Sequence, residues 1–321
     1  MTILRQAGLL IAAIIMVAMP PAAAETFALE EGQDVMGAPG IVQSSYEDTL
    51  LDIGRRYGLG YEEIRRANPT VDVWLPGGGT TIHLPTQFVM PQASRVGLVI
   101  NIAEYRMYFF STMDDQTQVA SFPISIGRMD WGTPLGRSSI VKKVVKPSWY
   151  PPASIREEWA ADGRVLESRV PPGPDNPLGD YAMRLSIPGY LIHGTNRPAG
   201  VGMRVTHGCI RMFPEDIERL FPAVPVNTPV QIVNQPYKLG WFGEDLYLEV
   251  HAPLAEKEAS ETSGDLTLTS ITRLYIQVTR HRSAVVDWDL VEKVFQDQRG
   301  IPTVIGHAYT DHTERLSMIS D

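Results

Sequence analysis

A single cysteine, Cys209, stands in the stretch THGCIRM (206–212) of a 321-residue chain. An unperturbed thiol titrates at about 8.5, so at neutral pH it is a weak nucleophile until a base takes its proton or a cation holds its thiolate. Two histidines are close enough in sequence to do this. His207 is two residues before Cys209, and His193 is sixteen before it, at the end of the apolar run that starts at Tyr190. Twelve residues separate His193 from Thr206, and they include Gly194, Gly200 and Gly202. Glycines permit the tight turns that would bring His193 back beside Cys209. Gly208 lets a substrate approach the main chain and leaves amide N–H groups for an oxyanion.

Two other chemistries fit the same residues. Cys209, His193 and His207 could hold a zinc ion, since residues two apart on a strand face the same side, although the usual paired-ligand spacing is missing. A lone cysteine is most often a buried, inert thiol. That reading calls for apolar neighbours, whereas this thiol sits between His207 and Arg211. The residues by themselves favour a cysteine nucleophile and leave the alternatives open.

The compartment bears on this choice. Arg5 precedes an apolar run from Gly8 to Met19, broken by Pro20 and Pro21 and followed by Ala22, Ala23 and Ala24. This is the layout of a secretory signal peptide cleaved after Ala24, with an uncleaved anchor as the alternative. Export from the cytoplasm is therefore expected. Exported chains usually use cysteines in pairs, and one cysteine makes no internal disulfide. The net charge of −9, without basic stripes, argues against a nucleic-acid partner.

Several elements must position these residues. Residues 25–40 read as a leading segment with little structure of its own. Residues 41–86 read as a compact strand–helix–helix–strand unit. Asp48 is the expected cap of its first helix, with Leu51, Ile53, Gly54 and Tyr57 as the apolar face and Gly58 and Gly60 as its end. The second helix spans Tyr61 to Ala67 and stops at Asn68-Pro69; a strand follows from Thr81 to Leu84. From 95 to 234, apolar runs with strand character dominate, so a mainly β domain with one core is expected. A short helix is placed at Ser154–Ala161, a stiff proline-rich loop at 170–179, and a helix from Pro214. In 235–321, a strand at Leu246–Val250, a polar linker at 256–267 and a helix at Val291–Gln296 stand out, with no function attached.

His193-Gly194-Thr195-Asn196 followed by Thr206-His207-Gly208-Cys209-Ile210-Arg211 resembles the active-site signature of the L,D-transpeptidase (YkuD) family. TPLG at 133–136, PPGPDNPLG at 171–179 and PEDIERLF at 214–221 extend the likeness over residues 95–234. Thr206 replaces the commoner serine and keeps the hydroxyl. Residues 41–86 resemble a LysM module, which binds N-acetylglucosamine-containing glycans. The resemblance implies a β-sandwich catalytic domain preceded by a small βααβ glycan-binding domain. It implies acyl transfer: the cysteine attacks the third stem residue of peptidoglycan, usually meso-diaminopimelate, at its bond to D-Ala. A thioester forms and an amine resolves it, either another diaminopimelate or an outer-membrane lipoprotein's C-terminal lysine. Water as acceptor would make the enzyme an L,D-carboxypeptidase; a catalytically silent wall-binding protein is the other alternative. On this resemblance Cys209 is the nucleophile and His193 the base, oriented by the Gly194 carbonyl. Gly208 and Cys209 supply the oxyanion amides. His207 shapes the pocket, and Arg211 organises the site or meets a carboxylate. Thr206, Tyr190 and Met203 are further candidates to line the cleft. The partners implied are peptidoglycan stem peptides and glycan strands, and the chemistry needs no metal or organic cofactor.

Overall fold

The computed structural model describes residues 26–129, 131–254 and 268–309. The leader expected at 1–24 and the polar linker at 256–267 lie outside the described residues.

The leading segment carries more structure than its sequence announces, with strands β1 (Thr26–Ala28) and β2 (Val35–Gly37). Both pair with partners distant in sequence, so no local hairpin pattern marks them. The next unit contains β3 (Gly40–Gln43), α1 (Leu50–Arg56), α2 (Tyr61–Ala67) and β4 (Thr81–Leu84). β3 and β4 pair antiparallel, so the expected strand–helix–helix–strand order is present. Thr49, not Asp48, caps α1: its hydroxyl accepts from the Asp52 amide while the Asp52 carboxylate accepts from the Thr49 amide. Asp48 instead accepts from the Ser45 amide and Arg56. The helix buries Leu50, Ile53 and Gly54, and leaves Leu51 only partly covered. Gly58, at φ 65°, ends α1, whereas Gly60 is the N-cap of α2 rather than part of that ending. Asn68 ties α2 to β4 by donating to Ile64 O and His83 O and accepting from His83 N. β5 (Gln87–Val89) then returns to pair with β2.

The middle of the chain runs through β6 (Gly97–Asn101), β7 (Arg106–Met113), β8 (Gln116–Gly127), β9 (Gly136–Val145), α3 (Ala153–Ala161), β10 (Tyr181–Leu185), β11 (Leu191–His193), β12 (Arg204–Thr206), β13 (Ile210–Met212), α4 (Pro214–Ala223) and β14 (Pro229–Val233). Two long strands each serve both layers of a sandwich. β8 pairs first with β7 and then with β13; β9 pairs first with β14 and then with β10. The circuit closes through β13, β11, β10, β9, β14, β6 and β7, leaving few free edges. The architecture is mainly β, as expected.

Burial explains the sequence runs. Leu98, Ile100, Met107, Ile124, Ile192 and Ile210 point into the sandwich core. The other face of β6 and β7 sends Val99, Tyr108 and Phe110 against Leu50, Ile53, Ile64 and Phe88. A sheet buried on both faces reads as a continuous apolar run rather than an alternation.

The tail forms its own layer: β15 (Tyr237–Phe242), β16 (Asp245–Val250), α5 (Leu268–Val278), β17 (Ala284–Val286), α6 (Trp288–Asp297) and β18 (Thr303–Ala308), with sheet order β15-β16-β18-β17. Leu239, Leu248, Ile271, Val291 and Ile305 make its core. A buried charge cluster fastens it to the rest. Lys238 Nζ lies 2.5 Å from Glu104 Oε2 and 2.9 Å from Glu249 Oε1. Glu249 also accepts from the Val89 amide at 2.7 Å, and Tyr108 donates to Glu104 at 2.9 Å.

Candidate active site

β11 and β13 run parallel, with Ile192 opposite Ile210 and His193 opposite Arg211. Both isoleucines are fully buried in the core. Side chains alternate along a strand, so His193 and Arg211 face the other side, together with Leu191 and Cys209 one position outside each isoleucine. That side opens on a cavity of about 400 Å³ whose lining includes Tyr190, His193, Thr206, His207, Cys209 and Arg211. The residues that sequence alone separated by up to twenty-one positions therefore share one wall.

His193 is buried, and its Nδ1 lies 2.6 Å from the Gly194 carbonyl. A carbonyl only accepts, so Nδ1 carries the proton and Nε2 is the basic atom. Burial pushes the imidazole down to about 3, with the charge of Arg211 acting in the same direction and the Gly194 contact opposing. Burial also raises the Cys209 thiol, against the Leu191 main-chain hydrogen bond and the Arg211 charge. The resting pair is thus a neutral thiol and a neutral imidazole, not a thiolate–imidazolium pair.

The turn that carries the thiol is held from several sides. Thr206 Oγ1 donates to the Cys209 carbonyl at 2.6 Å, which closes the turn across Gly208. Gly208 sits at φ 96°, and a Cβ there would come within 2.7 Å of Tyr190 Cε1. Only glycine meets both demands. Thr133 Oγ1 donates to the Gly208 carbonyl at 2.9 Å and accepts from the Gly127 amide at 3.0 Å. This gives the TPLG stretch its place, behind the turn that carries the thiol. Tyr190 packs against the turn, and its hydroxyl reaches the Gly132 carbonyl at 3.4 Å.

His207 faces α3. Its Nε2 lies 2.9 Å from Glu158 Oε2, which also accepts from Arg128 at 2.7 Å, and its ring meets the edge of Trp131 at 5.2 Å. This ring is engaged away from any zinc set with Cys209. Among the described residues, the His, Cys, Asp and Glu group whose ligand atoms lie within 4.8 Å of one another is Glu104, Glu249 and His251. Its centre is taken by the Lys238 ammonium. Arg211 has a buried Nε with no hydrogen-bond partner. Burial, together with the charge of Arg197, lowers its pKa. Met203 does not line the cavity; its carbonyl accepts from the Ile126 amide at 3.2 Å.

The cover of the cavity escapes sequence reasoning. Trp149, Tyr150, Ile155 and Leu178 line it from the segment between β9 and β10. Asn176 braces that segment, donating to Pro147 O at 2.7 Å and accepting from Leu178 N at 2.9 Å. The proline-rich stretch signals a stiff loop, but nothing local says what it covers. A second cavity, of about 670 Å³, is lined by Gly179, Gly194, Thr195 and Asn196. Leu178 and His193 line the first cavity while their next neighbours line the second, so the two share a wall.

The chain is similar to known proteins along most of its length. The L,D-transpeptidase catalytic domain (YkuD) family model matches residues 95–232. The Salmonella typhimurium protein named "Probable L,D-transpeptidase ErfK/SrfK" is 37% identical over 282 residues, covering 86% of this chain and 89% of that protein. The Escherichia coli K12 protein named "Probable L,D-transpeptidase YcfS" is 38% identical over 259 residues, 79% of each chain. A solved L,D-transpeptidase from Mycobacterium tuberculosis H37Rv overlaps 49% of this chain and 62% of its own, at 21% identity and a TM-score of 0.31. With identity sustained over most of the chain and the family motif gathered on one cavity wall, the chain belongs to the L,D-transpeptidase (YkuD) family and is an acyltransferase of peptidoglycan.

Proposed function

We propose that Cys209 is the acyl carrier of a peptidoglycan L,D-transpeptidase and that His193 is its general base. The supporting observation is the parallel register that places His193, Cys209 and Arg211 on the cavity face. The thiol attacks the carbonyl carbon of the third stem residue while its proton passes to His193 Nε2. The amides of Gly208 and Cys209 stabilise the oxyanion. The tetrahedral intermediate collapses, the C–N bond breaks, and D-Ala leaves as an amine with the proton returned by His193. An incoming amine attacks the thioester carbonyl and gives its proton to His193; the C–S bond breaks, the new amide leaves, and the departing sulfur takes that proton back to restore the thiol. The buried, unpartnered Nε of Arg211 suits a substrate carboxylate, since an unpaired buried donor is costly until an anion arrives. The two adjoining cavities give donor stem and amine acceptor separate approaches.

In this reading the enzyme works in the periplasm. The βααβ unit binds glycan strands through the two loops that expose Tyr46, Trp74 and Leu75. Aromatic faces exposed on loops suit sugar rings. The acceptors are a second diaminopimelate amine or an outer-membrane lipoprotein's C-terminal lysine.

The test incubates the mature protein with tetrapeptide muropeptides, with and without a lipoprotein C-terminal peptide. The expected result is release of D-Ala, a thioester mass on Cys209 and an amine-containing product. Identical product profiles for wild type and Cys209→Ala would sink the proposal. Product lacking any incorporated amine would instead identify a hydrolase.

A further inference from the structure

The loop from Gly194 to Val205 joins the base to the nucleophile, and it is gripped from two sides. On one side, Ser125 Oγ of β8 donates to the Gly200 carbonyl at 2.7 Å, and the Ile126 amide donates to Met203 O at 3.2 Å. On the other side stands the βααβ unit. The amides of Tyr61 and Glu62, at the start of α2, donate to the carbonyls of Val201 at 3.0 Å and Gly202 at 3.3 Å. The two backbones meet so closely that a Cβ on Gly202 would collide with the Tyr61 main chain, and one on Gly60 would come within 2.8 Å of Gly202 Cα.

The start of α2 is itself rigidly held. Glu63 accepts from the Gly60 amide at 2.6 Å and pairs with the fully buried Arg106 of β7 at 2.6 Å. Arg106 also donates to the Gly58 carbonyl at 2.9 Å. Arg55 of α1 forms a two-pronged pair with Glu215 at the start of α4, at 2.7 and 2.9 Å. The gripped loop reaches the cavity wall at Arg211: a Cβ on Gly200 would lie 3.6 Å from Arg211 Nη1.

We propose that the βααβ unit is a positioning element of the acyl-transfer site: through Gly60 and the Tyr61 and Glu62 amides it clamps Val201–Gly202, and so sets where Arg211 and Cys209 stand relative to His193. This rests on the reading of Cys209 and His193 as the reacting pair. It gives the unit a role separate from glycan binding, and that role persists with substrates that carry no glycan polymer.

A proline at position 61 isolates the clamp. Tyr61 is the first residue of α2, where proline is well tolerated, and Gly60 before it is already extended, at φ −84° and ψ 168°. Tyr61→Pro keeps the helix, removes the amide donor and presses a ring carbon toward Val201 O. Tyr61→Ala, which keeps the amide and removes the same side chain, is the reference. The substrate is a free tetrapeptide with a small amine acceptor.

Tyr61→Pro is expected to lower kcat about tenfold or more relative to Tyr61→Ala, with KM within about twofold. Equal kcat values, or a loss confined to KM, overturn the proposal. Gly60→Ala is the second variant; its backbone suits alanine, but its Cβ pushes on Gly202, and it should show the same kcat loss with circular dichroism unchanged. A parallel readout does not depend on acyl transfer. Alkylation of Cys209 by iodoacetamide should change at least about threefold between Tyr61→Pro and Tyr61→Ala. An unchanged alkylation rate overturns the clamp even if wild type forms no thioester, an outcome that would separately refute the catalytic reading.

Discussion

Burial sets the protonation of Cys209 and His193 before any substrate arrives, because both groups lose more by carrying charge in the cavity than Arg211 or the Gly194 carbonyl returns. A visible consequence follows for the thiol. Its alkylation rate should rise with pH to an inflection above the ordinary thiol value of about 8.5. With the imidazole down at about 3, no second inflection should appear between pH 5 and 8. A plateau of thiolate reactivity near pH 6 in a pH–rate series would contradict the neutral pair. His193→Ala should cost about 10² to 10⁴ in acyl transfer, the range for loss of a general base, while leaving the fold intact by circular dichroism.

Elements hold these residues in place, and two of them carry predictions. α3 reaches the catalytic turn through one carboxylate, since Glu158 receives both His207 and Arg128. Glu158→Ala should release α3 from the turn, detected as faster amide exchange across 153–161, with a several-fold fall in transfer rate and little loss of global stability. Such solvent-screened pairs contribute little to global stability. α4 carries Asp216 in its first turn, with Oδ1 paired to Arg219 and Oδ2 buried without a partner. Burial raises this carboxyl to about 6, against the pull of Arg219. A carboxyl raised in the folded state binds its proton more readily there than in the unfolded chain. Its contribution is therefore most favourable at low pH and is lost as pH rises through about 6. Asp216→Asn should raise the melting temperature at pH 7.5, worth on the order of 1–3 kcal/mol, and the difference should vanish near pH 4. A pH-independent difference would sink this account.

At the scale of the whole molecule, the sandwich and the tail sheet meet at Lys238, which is fully buried between Glu104 of the first and Glu249 of the second. Burial pushes Glu249 up, but Lys238 and His251 outweigh it and hold the carboxyl down at about 2. Lys238→Ala leaves two buried carboxylates without their cation, at a cost of about 3–5 kcal/mol. Denaturant melts should show this loss, and Glu249→Gln combined with Lys238→Ala should recover part of it. A shift within experimental error for Lys238→Ala would mean that the tail sheet is not fastened here.

The thiol, its two histidines and the arginine were legible from residue types and spacing, and so were the strands that alternate or run apolar. Helix α2 matches its expected span, because a capping glycine and Asn68-Pro69 are local signals. The cap of α1 lies one residue beyond the expected Asp48, at Thr49, because Asp52 completes a reciprocal capping box with Thr49. β1, β2 and most of the tail sheet were not legible, because short strands find partners far away in sequence. What the sequence by itself determined is a family motif around one thiol and a mainly β region over 95–234; these rest on side-chain chemistry and on periods of a few residues. Only the tertiary structure decided the parallel register that sets His193 opposite Arg211 and on one face with Cys209, the neutral state of thiol and imidazole, the cover over the cavity and the grip of α2 on residues 201–202. Each of these depends on burial and on contacts between residues tens to hundreds of positions apart, and no local pattern encodes such contacts.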